Sequence, residues 1–110
     1  MSSRGPNSAP LSIRNTVRAG RHTIALTGEL DLDSANKLEK AVREVCASGT
    51  RLVIDLREVT FMDSTGLRVL IVAGTLCEEK GHELRIIPGE DIQRVLEVSG
   101  LDRVLPFTSR

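Results

Sequence analysis

The sequence predicts an α/β domain built on a mixed, mostly parallel sheet of four to five strands, opened by an N-terminal hairpin and flanked by helices. Three observations predict it. Leu11, Ile13 and Val17 alternate with polar residues up to a turn signal at Ala19-Gly20, and a second strand-like run follows from Thr23 to Leu30, which reads as a hairpin. Beyond it, helical stripes and short apolar runs take turns, as in strands joined by helices. The run RLVIDL places four apolar residues in six positions, as expected of a central strand covered on both faces, with a parallel neighbour.

The elements follow in order. Residues 1–10, MSSRGPNSAP, have almost nothing to bury and read as a disordered leader, which leaves 11–110 as one domain. In DSANKLEKAVREVCASG, Ala35, Leu38, Val42, Val45 and Cys46 share one helical stripe, with an Asp or Ser cap before it and Gly49 after it. GLRVLIVAGTLCEEKG is apolar nearly all round until Glu78 and ends at Gly81. A helix with so narrow a polar face either is deeply buried or shows apolar surface to another protein. HELRII is a further strand, stopped by Pro88-Gly89. A short helix capped by Asp91 turns Ile92, Val95 and Leu96 inward, and SGLDRVLPF closes the domain.

Composition narrows the function classes. A chain of 110 residues has core enough to stand without metal or disulfide staples. Fifteen Lys and Arg balance fifteen Asp and Glu, and there are only two aromatics, Phe61 and Phe107, so there is neither a basic field for a phosphate backbone nor a stacking platform for bases. Nucleic acid is a poor partner. Cys46 and Cys77, far apart in the sequence and each within a helical pattern, suit buried reduced thiols better than a disulfide, a zinc site or a redox CxxC. With no signal-peptide core and no window of about 18 apolar residues, the expectation is a soluble cytoplasmic protein with no membrane partner.

The chemistry is concentrated in FMDSTGLRVL, at the joint between the central strand and the apolar helix. In a parallel sheet, functional groups gather beyond the carboxyl ends of the strands. The polar residues expected on that rim are Asp31 and Asp33, then Asp55 and Glu58, then Asp63, Ser64 and Thr65. Asp63 or Ser64 is placed to cap the helix, whose first N–H groups lack partners and carry the positive end of the dipole. From the residues alone two readings stand: DST is a helix cap, or its hydroxyl accepts a phosphate at a position that tolerates an anion. A nucleophilic Ser64 would need a base. His82 lies at the far end of the apolar helix, about 25 Å away at 1.5 Å per residue, and His22 belongs to the hairpin. No catalytic or metal-binding set is assigned, although spacing alone leaves Asp31 and Asp63 open as a carboxylate pair.

TGELDLDSANKLEKAV, LVIDLREVTFMDSTGLRVL and IQRVLEVSGLDRVLPF, in this order and at these separations, resemble the STAS domain family, and within it the bacterial anti-sigma factor antagonists. The likeness runs from Leu11 to Phe107. It implies that Ser64 is phosphorylated by an anti-sigma factor that is itself a serine kinase with an ATP-binding fold, and that a PP2C-type phosphatase reverses this. Unphosphorylated, the protein would bind the kinase and free the sigma factor. ATP and Mg²⁺ would belong to the kinase, so no cofactor is expected here. Asp63 matches the acid beside the acceptor, Asp31 the acid of the GELD turn near it, and Gly66 and Leu67 the start of the partner-binding helix. Thr65 departs from the second Ser that many members carry. Because the apolar residues of this helix cannot all face one core, Arg68, Val69 and Val72 are assigned to the partner surface; packing against the neighbouring helix is the competing reading. The alternative function is a stand-alone STAS subunit of a lipid-transport ABC system or a stress-signalling scaffold.

Overall fold

The structure, a computed structural model, describes residues 10–48 and 51–100. The elements run β1 (Ser12–Arg18), β2 (Arg21–Leu30), α1 (Leu32–Ser48), β3 (Arg51–Met62), α2 (Ser64–Lys80), β4 (Glu83–Pro88) and α3 (Glu90–Ser99). The proposed leader, apart from Pro10, and the closing segment after Gly100 lie outside the described residues.

Ala19 and Gly20 both adopt positive φ, 53° and 78°, as a two-residue turn must to match the twist of a hairpin. The hairpin pairs β1 with β2 antiparallel, β2 and β3 are parallel, and so are β3 and β4, giving the sheet order β1-β2-β3-β4. Parallel crossovers are right-handed almost without exception, and both here step the same way across the sheet. That brings α1 and α2 to one face, where they pack against each other. Ile24, Leu26 and Leu30 of β2, Leu52, Ile54 and Leu56 of β3, and Leu84 and Ile86 of β4 form the core with Leu38 and Val42 of α1 and Leu70 and Ala73 of α2. Val53, facing the other way on β3, is also buried, and α3 packs on β3 with Ile92 and Leu96 inward. Val95, expected inward, is 37% exposed.

The central strand is twice as long as RLVIDL suggests. Its register with β2 slips between Ala25 and Thr27 and again between Gly28 and Glu29, and each slip adds one residue on the β3 side. Such bulges bend a strand and reset which residues face inward. The buried residues therefore recur every third position, at Leu56, Val59 and Met62, and the alternation that marks a strand in sequence is lost. Asp55 and Glu58 consequently sit within the strand and not on its terminal rim. Asp55 is held there by Arg57, whose Nε and Nη2 lie 3.0 and 2.8 Å from its carboxylate oxygens and whose guanidinium lowers its pKa.

Gly66 sets how closely α2 can approach the strand ends. A Cβ there would stand 2.7 Å from Met62 Cγ, 2.9 Å from Leu30 Cγ and 3.0 Å from the Leu30 carbonyl oxygen, which is backbone and cannot rotate away. Overpacking of this kind costs about 1–3 kcal/mol, against at most about 1 kcal/mol that alanine gains in helix propensity. Gly66→Ala is expected to lower stability by up to about 2 kcal/mol in urea unfolding; an unchanged midpoint would show that the helix has room to move off the sheet.

Candidate functional site at two helix starts

Leu30 and Met62 are register partners at the carboxyl ends of β2 and β3, so α1 and α2 begin side by side. Asp31 precedes α1. Its Oδ1 accepts from the N–H of Asp33 and Ser34 at 3.1 and 3.2 Å, and its own N–H donates to Ser34 Oγ at 3.0 Å. Ser34 Oγ also lies 2.9 Å from the Glu29 carbonyl, which ties the helix start to β2. Asp31 is thus the cap, and α1 starts earlier than the Asp33–Ser34 cap read from sequence.

Asp63 caps α2 in extended backbone geometry, accepting from the N–H of Thr65 at 3.0 Å and of Gly66 at 3.2 Å, and from the Thr65 hydroxyl. It also links the two helix starts, because its N–H donates to the Leu30 carbonyl at 3.3 Å, and the N–H of Leu32, the first residue of α1, favours its ionised form. Burial alone would raise the Asp63 carboxyl. The hydrogen bonds from the Thr65 side chain and from the N–H groups of Gly66, Thr65 and Leu32 outweigh it and hold the pKa below its usual value.

Between these caps, Ser64 is exposed at the first position of α2, and among the described residues its hydroxyl has no hydrogen-bond partner. Asp63 does the capping, with the Thr65 hydroxyl donating to it, so the serine hydroxyl is left for other chemistry. Large apolar side chains are exposed on the flanking elements: Leu32 at the start of α1 is 68% exposed, Phe61 near the end of β3 45% and Ile71 on α2 41%. Arg68 is exposed on α2, and Leu67 and Val72 are half-buried.

Three residues assigned to partner binding, Asp31, Gly66 and Val69, are buried and need correction, Asp31 being 8% exposed beneath the start of α1. Val69 is 5% exposed and belongs to the core, on the buried stripe Gly66, Val69, Leu70, Ala73, Cys77. Ile71, two residues on, presents the apolar surface instead. Gly66 is buried and acts as a spacer beneath the helix. Leu32 and Phe61 were missed, since one sits in a helix start and the other in a bulged strand, and neither context shows exposure in sequence. No base accompanies Ser64. His22 is at the opposite end of β2, and His82, beyond the far end of α2, directs Nε2 to the Cys46 carbonyl at 2.9 Å. Asp31 and Asp63 are both committed to backbone N–H groups, which leaves them poorly suited to act as an acid–base pair. Among the described residues no three His, Cys, Asp or Glu could hold a metal ion, and no helix is long and apolar enough to cross a membrane.

A family model described as "Mlab, STAS domain" matches residues 15–106, and the chain belongs to the STAS domain family. Among its relatives, the anti-sigma-F factor antagonist RsfB of Mycobacterium tuberculosis is 37% identical over 108 residues, covering 93% of this chain and 86% of the relative. The anti-sigma-B factor antagonist of Staphylococcus aureus is 31% identical over 93 residues, covering 83% and 86%. The crystal structure of an anti-sigma factor antagonist from Mycobacterium paratuberculosis superposes with a TM-score of 0.84 at 29% identity, covering 94% of this chain and 91% of that one. The unphosphorylated form of the anti-sigma factor antagonist SpoIIAA shares the fold at a TM-score of 0.73 and 19% identity, over 90% of each chain.

Two outcomes test this geometry. Val69→Ala is expected to cost about 1–3 kcal/mol of stability, as deletion of buried methyl groups does, whereas Ile71→Ala stays within about 0.5 kcal/mol; the reverse order would invert the phase of α2. Removing the cap in Asp63→Ala is expected to cost about 1 kcal/mol near neutral pH. Because the native Asp63 carboxyl titrates below its unfolded counterpart, its contribution is complete above the unfolded value of about 4 and is lost as pH falls through the lower native value. The stability gap between wild type and Asp63→Ala, measured in urea at stepped pH, should be flat above about pH 5 and narrow below about pH 4. A gap unchanged in acid would show that the carboxylate charge contributes nothing.

Proposed function

We propose that this chain is an anti-sigma factor antagonist switched by phosphorylation of Ser64. Unphosphorylated, it binds an anti-sigma factor with serine kinase activity and so releases the sigma factor. The kinase transfers the γ-phosphate of its ATP to Ser64 Oγ, the complex parts, and a PP2C-type phosphatase hydrolyses the ester. The cycle takes place in the cytoplasm.

The observation that carries this reading is the exposed Ser64 hydroxyl at the first position of α2, which has no hydrogen-bond partner among the described residues. A phosphate adds about −1.5 to −2 charges there, at the positive end of the helix dipole, so the free domain tolerates it. The cost falls on the complex. Two unit charges at about 4 Å repel by about 1 kcal/mol in water and several-fold more once a partner excludes solvent, and Asp63 and Asp31 already place negative charge beside the acceptor. The same phosphate that the helix start accepts therefore expels a partner seated over it. The names of the relatives support this role, and the docking surface comprises Ser64, Thr65, Leu67, Arg68, Ile71 and Val72 of α2 with Leu32 and Phe61. Gly66, Asp31 and Asp63 shape that surface from beneath. The other reading is a stand-alone STAS subunit of a lipid-transport ABC system or a stress-signalling scaffold, in which the same surface docks without being phosphorylated.

Incubation with the cognate kinase and ATP is expected to add one phosphate by intact mass, and Ser64→Ala none. Ser64→Asp is expected to weaken kinase binding at least about tenfold, which is about 1.4 kcal/mol, while moving the thermal midpoint by no more than about 4 °C. Capture of a transport ATPase with no phosphate on Ser64 would select the other reading; unfolding of Ser64→Asp would show the site to be structural.

A further inference from the structure

Cys46 and Cys77 take no part in the site described above, yet the fold sets them side by side. Their sulfurs are 3.7 Å apart across the α1–α2 contact, and both thiols are free and buried. The sequence distance that made a disulfide unattractive is bridged by the packing of the two helices. A second observation concerns the backbone. His82 donates its N–H to the Cys77 carbonyl at 2.8 Å and brings Nε2 to 2.9 Å from the Cys46 carbonyl, so one residue binds both cysteine positions. A carbonyl can only accept, so Nε2 carries the proton.

We propose that Cys46 and Cys77 form an oxidation site that reacts with a two-electron thiol oxidant of the disulfide class and closes to an intramolecular disulfide joining α1 to α2. A disulfide places its sulfurs about 2.05 Å apart, so closure from 3.7 Å asks for less than about 2 Å of movement shared between two side chains. Cys46 lies two residues before the end of α1 and Cys77 three before the end of α2, in the last turns, where local opening is easiest and admits the oxidant. The Cys46 thiol gives up its proton to solvent and attacks one sulfur of the oxidant. One oxidant thiolate leaves and a mixed disulfide remains. Cys77 then loses its proton and attacks Cys46 Sγ, expelling the second thiolate. The protein loses two protons and two electrons, and the oxidant gains the electrons. Burial, followed by the neighbouring Cys46 sulfur, pushes the Cys77 thiol up to about 12, which suits Cys77 to the second, intramolecular step.

The bond would close a loop across a sequence separation of 31 and tie the helices at their carboxyl ends, opposite the Asp63 link that ties their starts. Ser64 lies about 20 Å away along α2, at 1.5 Å per residue, so oxidation and phosphorylation act at separate ends.

The test treats the reduced full chain with glutathione disulfide and reads intact mass, a non-reducing digest and thermal unfolding. The expected result is a loss of two hydrogens, a peptide pair joining Cys46 to Cys77, an unchanged monomer mass and a midpoint raised by roughly 10 °C that dithiothreitol reverses. Cys46→Ala and Cys77→Ala should each abolish the midpoint rise. A lasting glutathione adduct on the wild type, a bond between two chains, or no reaction under conditions that oxidise the urea-unfolded protein would each overturn the proposal.

Discussion

The arrangement depends on the Asp63 carboxylate. It satisfies the first N–H groups of α2 from the residue that follows the central strand, while the Asp63 N–H donates to the Leu30 carbonyl just before α1. Helix starts are ordinarily separate problems of unpaired donors. Here Asp31 and Asp63 each cap one helix, and the Asp63 N–H, bonded to the Leu30 carbonyl at the end of β2, holds the two starts side by side at the carboxyl edge of the sheet. Gly66 allows that spacing by letting α2 lie against Leu30 and Met62 without a side chain between them.

A consequence is the freedom of the neighbouring serine. A hydroxyl at a helix start is usually drawn into capping, and a capping serine that became phosphorylated would lose its cap. Asp63 carries that task, so Ser64 can change its charge while the helix keeps its hydrogen bonds. The low pKa of Asp63 follows from the same bonds, and it keeps a negative charge beside the acceptor throughout the physiological range. Capping and switching are thus coupled through one carboxylate that is structural toward the helices and repulsive toward a docked partner.

How much of this could be read in the sequence varied with the kind of interaction involved. The hairpin was plain because Ala19-Gly20 interrupts two strand-like runs, and α1 because Leu38, Val42, Val45 and Cys46 fall on one stripe. The second half of β3 was not, because two inserted residues space Leu56, Val59 and Met62 by three and erase the strand period. With the strand limited to RLVIDL, Asp55 and Glu58 fall on the rim; in the full β3 they lie within it. In α2 the near-uniform apolarity hides the phase of the helix, so that Val69 reads as surface where Ile71 is the exposed residue. The exposure of Leu32 and Phe61 and the meeting of Cys46 with Cys77 have no local signal, since both arise from how elements cross. Asp63 was legible as a cap because cap residues mark the ends of elements, whereas at α1 the structure moves the cap from the expected Asp33 or Ser34 to Asp31.

The most direct measurement of whether the helix start carries a phosphate without structural cost is amide hydrogen exchange of the Ser64-phosphorylated and unphosphorylated protein, paired with titration of each against the anti-sigma factor. The expected result is equal protection in the body of α2 and in β3, changes confined to residues near 30–34 and 61–68, and loss of binding by the phosphorylated form. Loss of protection along α2 on phosphorylation would contradict it, because the partner would then be released by melting of the helix and not by charge placed on an intact surface.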